Sequence, residues 1–224
     1  MEKEQEDRRS LESISDFEMS YCELSEDLLF AYIPEKNRAD YIERSIELAR
    51  KESTLYRKNK IADLYGNNDI EVRFHEESSS GFLHAQMYCD QKIRRADIYL
   101  NVLQDIQAAM RDVGYGFSMQ ELTDLHLAHE FYHFLEFQND RRTYELLEPL
   151  EYRSFGFWKR KAAIRRTSEI SAHIFAKNIC NFCVHPKILD YILMEYQSAD
   201  HSILKHKLDL LQPAMKEESA CVWN

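Results

Sequence analysis

Glycine and proline are scarce in this chain of 224 residues, at 5 and 4 copies. So few turn formers argue against a turn-rich all-β architecture and favour long helices. No apolar run approaches the length needed to cross a bilayer, so no membrane partner is expected. The opening stretch, MEKEQEDRRS, is charged throughout and lacks the apolar centre of a secretory signal. Basic residues fall short of acidic ones, 29 against 39, giving a net charge of −10. Phosphate backbones require concentrated Lys and Arg, so nucleic acid is not an expected partner either. Cys22, Cys89, Cys180, Cys183 and Cys221 are odd in number and lack the spacing of a disulfide framework. Together these absences predict a reduced, cytoplasmic protein.

What the chain does contain is His129-Glu130-Phe131-Tyr132-His133, an H-E-x-x-H motif. Its surroundings predict a helix from Ser118 to about Phe137. Ser118 and Glu121 fit a capping box, and Leu122, Leu125, Ala128, Tyr132 and Leu135 recur at three- and four-residue spacing. On a helix, positions i and i+4 share a face, so both imidazoles can reach one metal ion. Glu130 projects from the adjoining face, where a carboxylate can deprotonate a water without ligating the metal. This division of roles is that of a zincin metallopeptidase.

The remainder of the chain suggests one domain over 17–212. A polar arm is expected over 1–16 and a tail over 213–224. Helices are expected from Leu24 to Ile33, from Arg38 into the fifties, and around Ile61–Tyr65. After the breaker Gly66-Asn67-Asn68-Asp69, apolar and polar residues alternate at Ile70–Phe74. With Phe82–Tyr88 and Ala96–Leu100, that segment predicts a small antiparallel sheet joined by hairpins, with a turn at Ser78–Gly81. A helix over Val102–Met110 follows. Beyond the motif helix come an irregular segment to Trp158, a helix from Lys159 to Phe182, one after Pro186, and a last one over Ile203–Leu211. The fold class expected is α+β, mostly helical, with the small sheet beside the motif helix.

A catalytic zinc site takes three protein ligands and keeps one position open. Asn139, ten residues after His129, removes the metzincin arrangement with its third histidine there. Downstream, Glu169-Ile170-Ser171-Ala172-His173-Ile174-Phe175-Ala176 carries E-x-x-A-x-x-F-A. With Ala128-His129-Glu130 through His133, this resembles the ImmA/IrrE family of zinc-dependent metallopeptidases over roughly residues 55–190. The resemblance implies Zn²⁺ on His129, His133 and Glu169, with Glu130 as general base. It likens Ala96–Asn101 to the strand preceding the active helix, and that strand is the candidate edge for adding an extended substrate. It also implies a bacterial or mobile-element regulatory peptidase acting on a protein or peptide. Two departures stand out: Tyr132 replaces a common Gly, and 36 positions separate His133 from Glu169.

Several residues compete for roles. His173, one turn after Glu169, is the alternative third ligand, and the unused member of the pair would support the site or face substrate. His126 and Asp124 lie before His129, and their ordinary reading is as partner or solvated residues. Cys180-x-x-Cys183 with His185 is weighed as a second metal site against buried core thiols. Arg165 or Arg166 is a candidate anchor for a substrate carboxylate. Against this, the basic cluster that begins at Lys159-Arg160-Lys161 has a solvated reading, paired with Glu145, Glu148 and Glu151. Tyr132, Tyr144 and Tyr152 are candidate oxyanion donors, with packing as the default for each. A different class of function is a non-catalytic regulatory protein that keeps the metal as a structural clip.

Overall fold

Ser118 starts the helix around which the other elements pack. Its backbone N–H donates to the Glu121 carboxylate at 2.8 Å, and Glu121 N–H donates back to Ser118 Oγ at 3.2 Å. The capping box predicted from sequence therefore opens α5, Met119–Gln138. This helix is buried on most of its faces, with Leu122, Leu125, Ala128, Phe131, Phe134 and Leu135 all inside. A helix enclosed this way is central, and every polar group it carries inward needs a partner or a task.

The computed structural model describes residues 10–77, 83–154, 158–198, 200–209 and 211. Before α5 the chain forms α1 (Asp16–Ser25), α2 (Glu35–Tyr56) and α3 (Ile61–Asn67). Strands β1 (Glu71–His75), β2 (Ala85–Cys89) and β3 (Arg94–Tyr99) follow, and then α4 (Leu100–Asp112). After α5 come α6 (Thr143–Leu146), β4 (Leu150–Ser154), β5 (Trp158–Ala162), α7 (Arg166–Cys180) and α8 (Lys187–Ser198). A further helical stretch covers 203–209. Mostly helical with a small sheet, the protein is of the α+β class. Among the described residues no helix is long and apolar enough to cross a membrane.

Four expectations need correction. The polar arm is overturned from Ser10 onward. Ser15 caps α1 in a second capping box with Glu18, and Leu11 and Ile14 are buried. The helix expected over Leu24–Ile33 is instead the end of α1, a turn and one 3-10 turn at Phe30–Tyr32. The helix expected from Lys159 begins at Arg166, because Trp158–Ala162 pairs antiparallel with Leu150–Ser154. Lys159, Arg160 and Lys161 are good helix formers, yet here they line an exposed strand, and Lys161 pairs with Glu151 at 2.8 Å. The turn expected at 78–81, residues 1–9 of the arm and the tail over 213–224 lie outside the described residues.

The fourth correction bears on function. The three-stranded sheet has the order β1-β3-β2, with β1 parallel to β3 and β2 antiparallel to it. It is mixed rather than antiparallel, because the chain leaves β1 for the far edge and returns through a hairpin into the middle. Asp90 shapes that hairpin, its Oδ1 accepting the N–H groups of Lys92 and Ile93 at 2.6 and 2.7 Å. β3 is thus the central strand, with Ala96 and Ile98 fully buried, and it has no free edge to offer. The edge beside α5 belongs to β2.

Aromatic packing fixes α5 against α7. Phe131 meets Tyr56 edge-on with ring centroids 5.6 Å apart and lies over Phe175 at 6.5 Å. Tyr65, from α3, donates its hydroxyl to the Leu127 carbonyl at 2.8 Å. Phe131→Ala is expected to cost about 3–5 kcal/mol of stability, the scale for removing a buried aromatic ring. Denaturant unfolding measures it, and a loss below about 1 kcal/mol would show that the ring is not a core anchor.

Candidate metal centre

α5 and α7 face each other across an extensive contact, and His129, His133 and Glu169 meet there. His129 Nε2 and His133 Nε2 are 3.2 Å apart. Glu169 Oε2 lies 3.3 Å from the first and 3.6 Å from the second. A tetrahedral zinc with bonds near 2 Å has about 3.3 Å between its ligand atoms. The three atoms therefore already stand at the edges such an ion requires. Among the described residues this is the one group of three whose ligand atoms all lie within 4.8 Å of one another.

The charges fit a cation as well. Burial pulls His129 down to about 4, so its ring is neutral and has a lone pair to give. Burial alone would raise Glu169, but His129 and His133 hold it well below the usual carboxylate range, in its ionised form. Burial would likewise lower His133, yet Glu136, Glu169 and Glu130 together hold it well above the ordinary histidine value. Carboxylates that keep a proton on His133 demand positive charge at that point, and a divalent cation meets the demand.

Glu136 is a residue that sequence reasoning missed, although its place three positions after His133 puts it on the adjoining helix face. Its Oε2 lies 3.1 Å from His133 Nδ1. The other oxygen accepts from Thr143 N–H and from Ser168 Oγ, both at 2.7 Å. The carboxylate is thus locked from two further elements and turns the His133 ring so that Nε2 faces Glu169. Partners of this kind typically account for 10–100-fold in metal affinity. Glu136→Gln is expected to weaken zinc retention by about that factor without unfolding the chain. Competition with a chromophoric chelator measures it, and unchanged affinity would remove Glu136 from the site.

Glu130 lies beside the triad, 9 % exposed, with its carboxyl pushed up to about 7 by burial and eased down by His133. The backbone of Met87 on β2 also eases it down. His129, Glu130, His133 and Glu169 open together into a cleft of about 600 Å³. Ala85, Met87, Arg166, Lys187 and Leu193 also line it.

The remaining candidates sort by position. The His173 ring is 4.7 Å from that of His129, but its Nε2 turns toward Glu23 at 3.7 Å, so it stands beside the triad and not within it. Glu23, on α1, escaped sequence reasoning because it lies just before the helix expected to start at Leu24. Burial would raise Glu23, but His173, Lys187 and Arg166 hold it below the usual range. Arg166 does reach the cleft, and it gives Nη1 to Glu23 at 2.6 Å; Arg165 is exposed. None of the three tyrosines lines the cleft. Tyr132 is buried, bonded to Thr143 Oγ1 at 2.8 Å and packed on Phe175. Asp124 takes a hydrogen bond from Gln120 in a separate hollow, which Cys180 and Cys183 share. Cys183 is exposed, which corrects the reading of both thiols as core, and His185 is fully buried next to His173.

No family model matches this chain, and neither does any curated protein or solved structure with which it was compared.

Proposed function

We propose that the chain is a zinc-dependent peptidase of the H-E-x-x-H type, with His129, His133 and Glu169 as ligands and Glu130 as general base. The observation that carries this is the convergence of three donor atoms at tetrahedral spacing with a buried carboxylate beside them. Bound Zn²⁺ would supply Lewis acidity toward the scissile carbonyl and toward water. Glu130 takes the proton from the attacking water and passes it to the leaving amine.

The sheet supports a peptide as substrate. The His84 carbonyl accepts from Tyr99 on β3 at 3.0 Å, so Gln86 and Tyr88 also direct their backbone groups to β3. Ala85 and Met87 direct theirs the other way, along the side that lines the cleft. An extended substrate can add to β2 there, in place of the β3 edge expected from sequence. Tyr132 packs inward on Phe175 and so leaves room for substrate in the cleft. Membership of the ImmA/IrrE metallopeptidases, a cytoplasmic location and regulatory cleavage of another protein belong to the same proposal. Protein purified without added metal or an affinity tag is expected to carry about one zinc per chain. Its cleavage of protein substrate should stop on chelation and return with zinc. Cleavage that survives complete metal removal would overturn the assignment.

A further inference from the structure

A second pair of histidines in the cleft repeats the geometry of the ligand pair. His129 and His133 have ring centroids 4.9 Å apart, planes at 73° and Nε2 atoms 3.2 Å apart. His84 and His126 have centroids 5.0 Å apart and planes at 83°, with His84 Nδ1 3.2 Å from His126 Nε2. His84 immediately precedes β2, and His126 lies on α5, one turn before His129. Asp190, from α8, brings Oδ1 to 3.7 Å from the same His84 nitrogen. All three residues line the cleft.

The His126 tautomer is set by its surroundings. Nδ1 lies 2.7 Å from the Leu122 carbonyl, which can only accept, so Nδ1 carries the proton and Nε2 presents its lone pair. A backbone carbonyl on the far nitrogen is a usual way to orient a metal-binding imidazole.

We propose that His84 Nδ1, His126 Nε2 and an Asp190 oxygen form a second, weaker site for a divalent transition-metal ion of the Zn²⁺, Co²⁺ or Ni²⁺ class. Two imidazoles and one carboxylate are the donor set such ions prefer over Mg²⁺ or Ca²⁺. Burial also pulls His84 down to about 4 and His126 to about 3, which keeps both rings in the neutral form a metal takes. The 3.2 and 3.7 Å spacings sit close to the tetrahedral edge of about 3.3 Å. The Asp190 and His126 atoms do not yet stand within the 4.8 Å that unites the first triad. The carboxylate must therefore swing toward His126. Asp190 Oδ2 lies 3.4 Å from Lys187 Nζ, and that pairing yields. Lys187 is not stranded by this, because Glu23 and Glu26 hold it at 2.9 and 3.0 Å. Among the described residues neither ring has a carboxylate on its far nitrogen as His133 has Glu136, so affinity about 10–100-fold below the first site is expected.

Cobalt titration of the metal-stripped full chain, followed by visible absorption and calorimetry, tests the site without reference to peptidase activity. The unaltered protein is expected to bind two ions in two phases. His84→Ala should abolish the weaker phase and leave the tighter one, while His129→Ala with His133→Ala should do the reverse. Asp190→Asn, at a partly exposed side chain, should weaken only the second phase, by about 10-fold or more. It carries the test if His84→Ala does not fold. A single equivalent in the unaltered protein would overturn the proposal, as would a second phase unchanged by His84→Ala or Asp190→Asn. A tighter phase unchanged by His129→Ala with His133→Ala would overturn the peptidase centre and leave this site standing.

Discussion

Glu130→Gln is expected to keep its metal and lose its chemistry, with cleavage falling by about two to four orders of magnitude. Glutamine has nearly the volume of glutamate, and its carbonyl oxygen can still accept a hydrogen bond from water. It is not one of the three atoms at ligand spacing, so zinc content should match that of the unaltered protein. What it cannot do is take a proton from water. Unfolding is excluded as the cause by the direction of the charge effect. Burial holds the Glu130 carboxyl up to about 7 in the folded metal-free chain, above its unfolded value. An acid raised in this way costs stability as pH climbs through that interval toward 7. The neutral amide removes the cost, so thermal unfolding of the metal-free variant near neutral pH should be unchanged or higher. Zinc retained together with unaltered cleavage would remove Glu130 as the base.

The motif helix was fully legible because local and tertiary signals agree there. A capping box, an apolar stripe and the i, i+4 histidines all report within twenty residues of one another. Glu169 was legible through its own motif on α7, although the helix start was misplaced by seven residues. The β4–β5 hairpin that displaced it has charged residues of high helix propensity on an exposed strand, where pairing overrides propensity. The strand order was not legible, since alternation marks a strand without saying which neighbours flank it. That gap sent the substrate edge to β3 when the topology puts β2 at the edge. Glu23, His84 and Asp190 were invisible for a related reason. Each lies far from the motif in sequence and comes to the cleft only through the packing of α1, β2 and α8.

Glu169→Ala is expected to cut zinc affinity by more than about 100-fold, beyond what an outer partner such as Glu136 contributes. His173→Ala should change it by less than about tenfold. The two residues sit one turn apart on α7, and sequence alone left either as the third ligand. Their surroundings separate them. Glu169 presents an ionised oxygen at 3.3 and 3.6 Å from the two histidine nitrogens. His173 directs its Nε2 at Glu23, and its buried Nδ1 has no hydrogen-bond partner among the described residues. Removing His173 leaves Glu23 still held by Arg166 at 2.6 Å and Lys187 at 2.9 Å, so α1 should stay docked. Removing Glu169 leaves two imidazoles with no anionic ligand, and the remaining pair cannot complete the charge or the coordination that zinc takes. Glu169→Gln, which keeps the length but not the charge, should fall on the same side as Glu169→Ala. Chelator competition on the three variants decides the matter. A His173 variant that loses zinc while the Glu169 variants retain it would transfer the ligand role to His173.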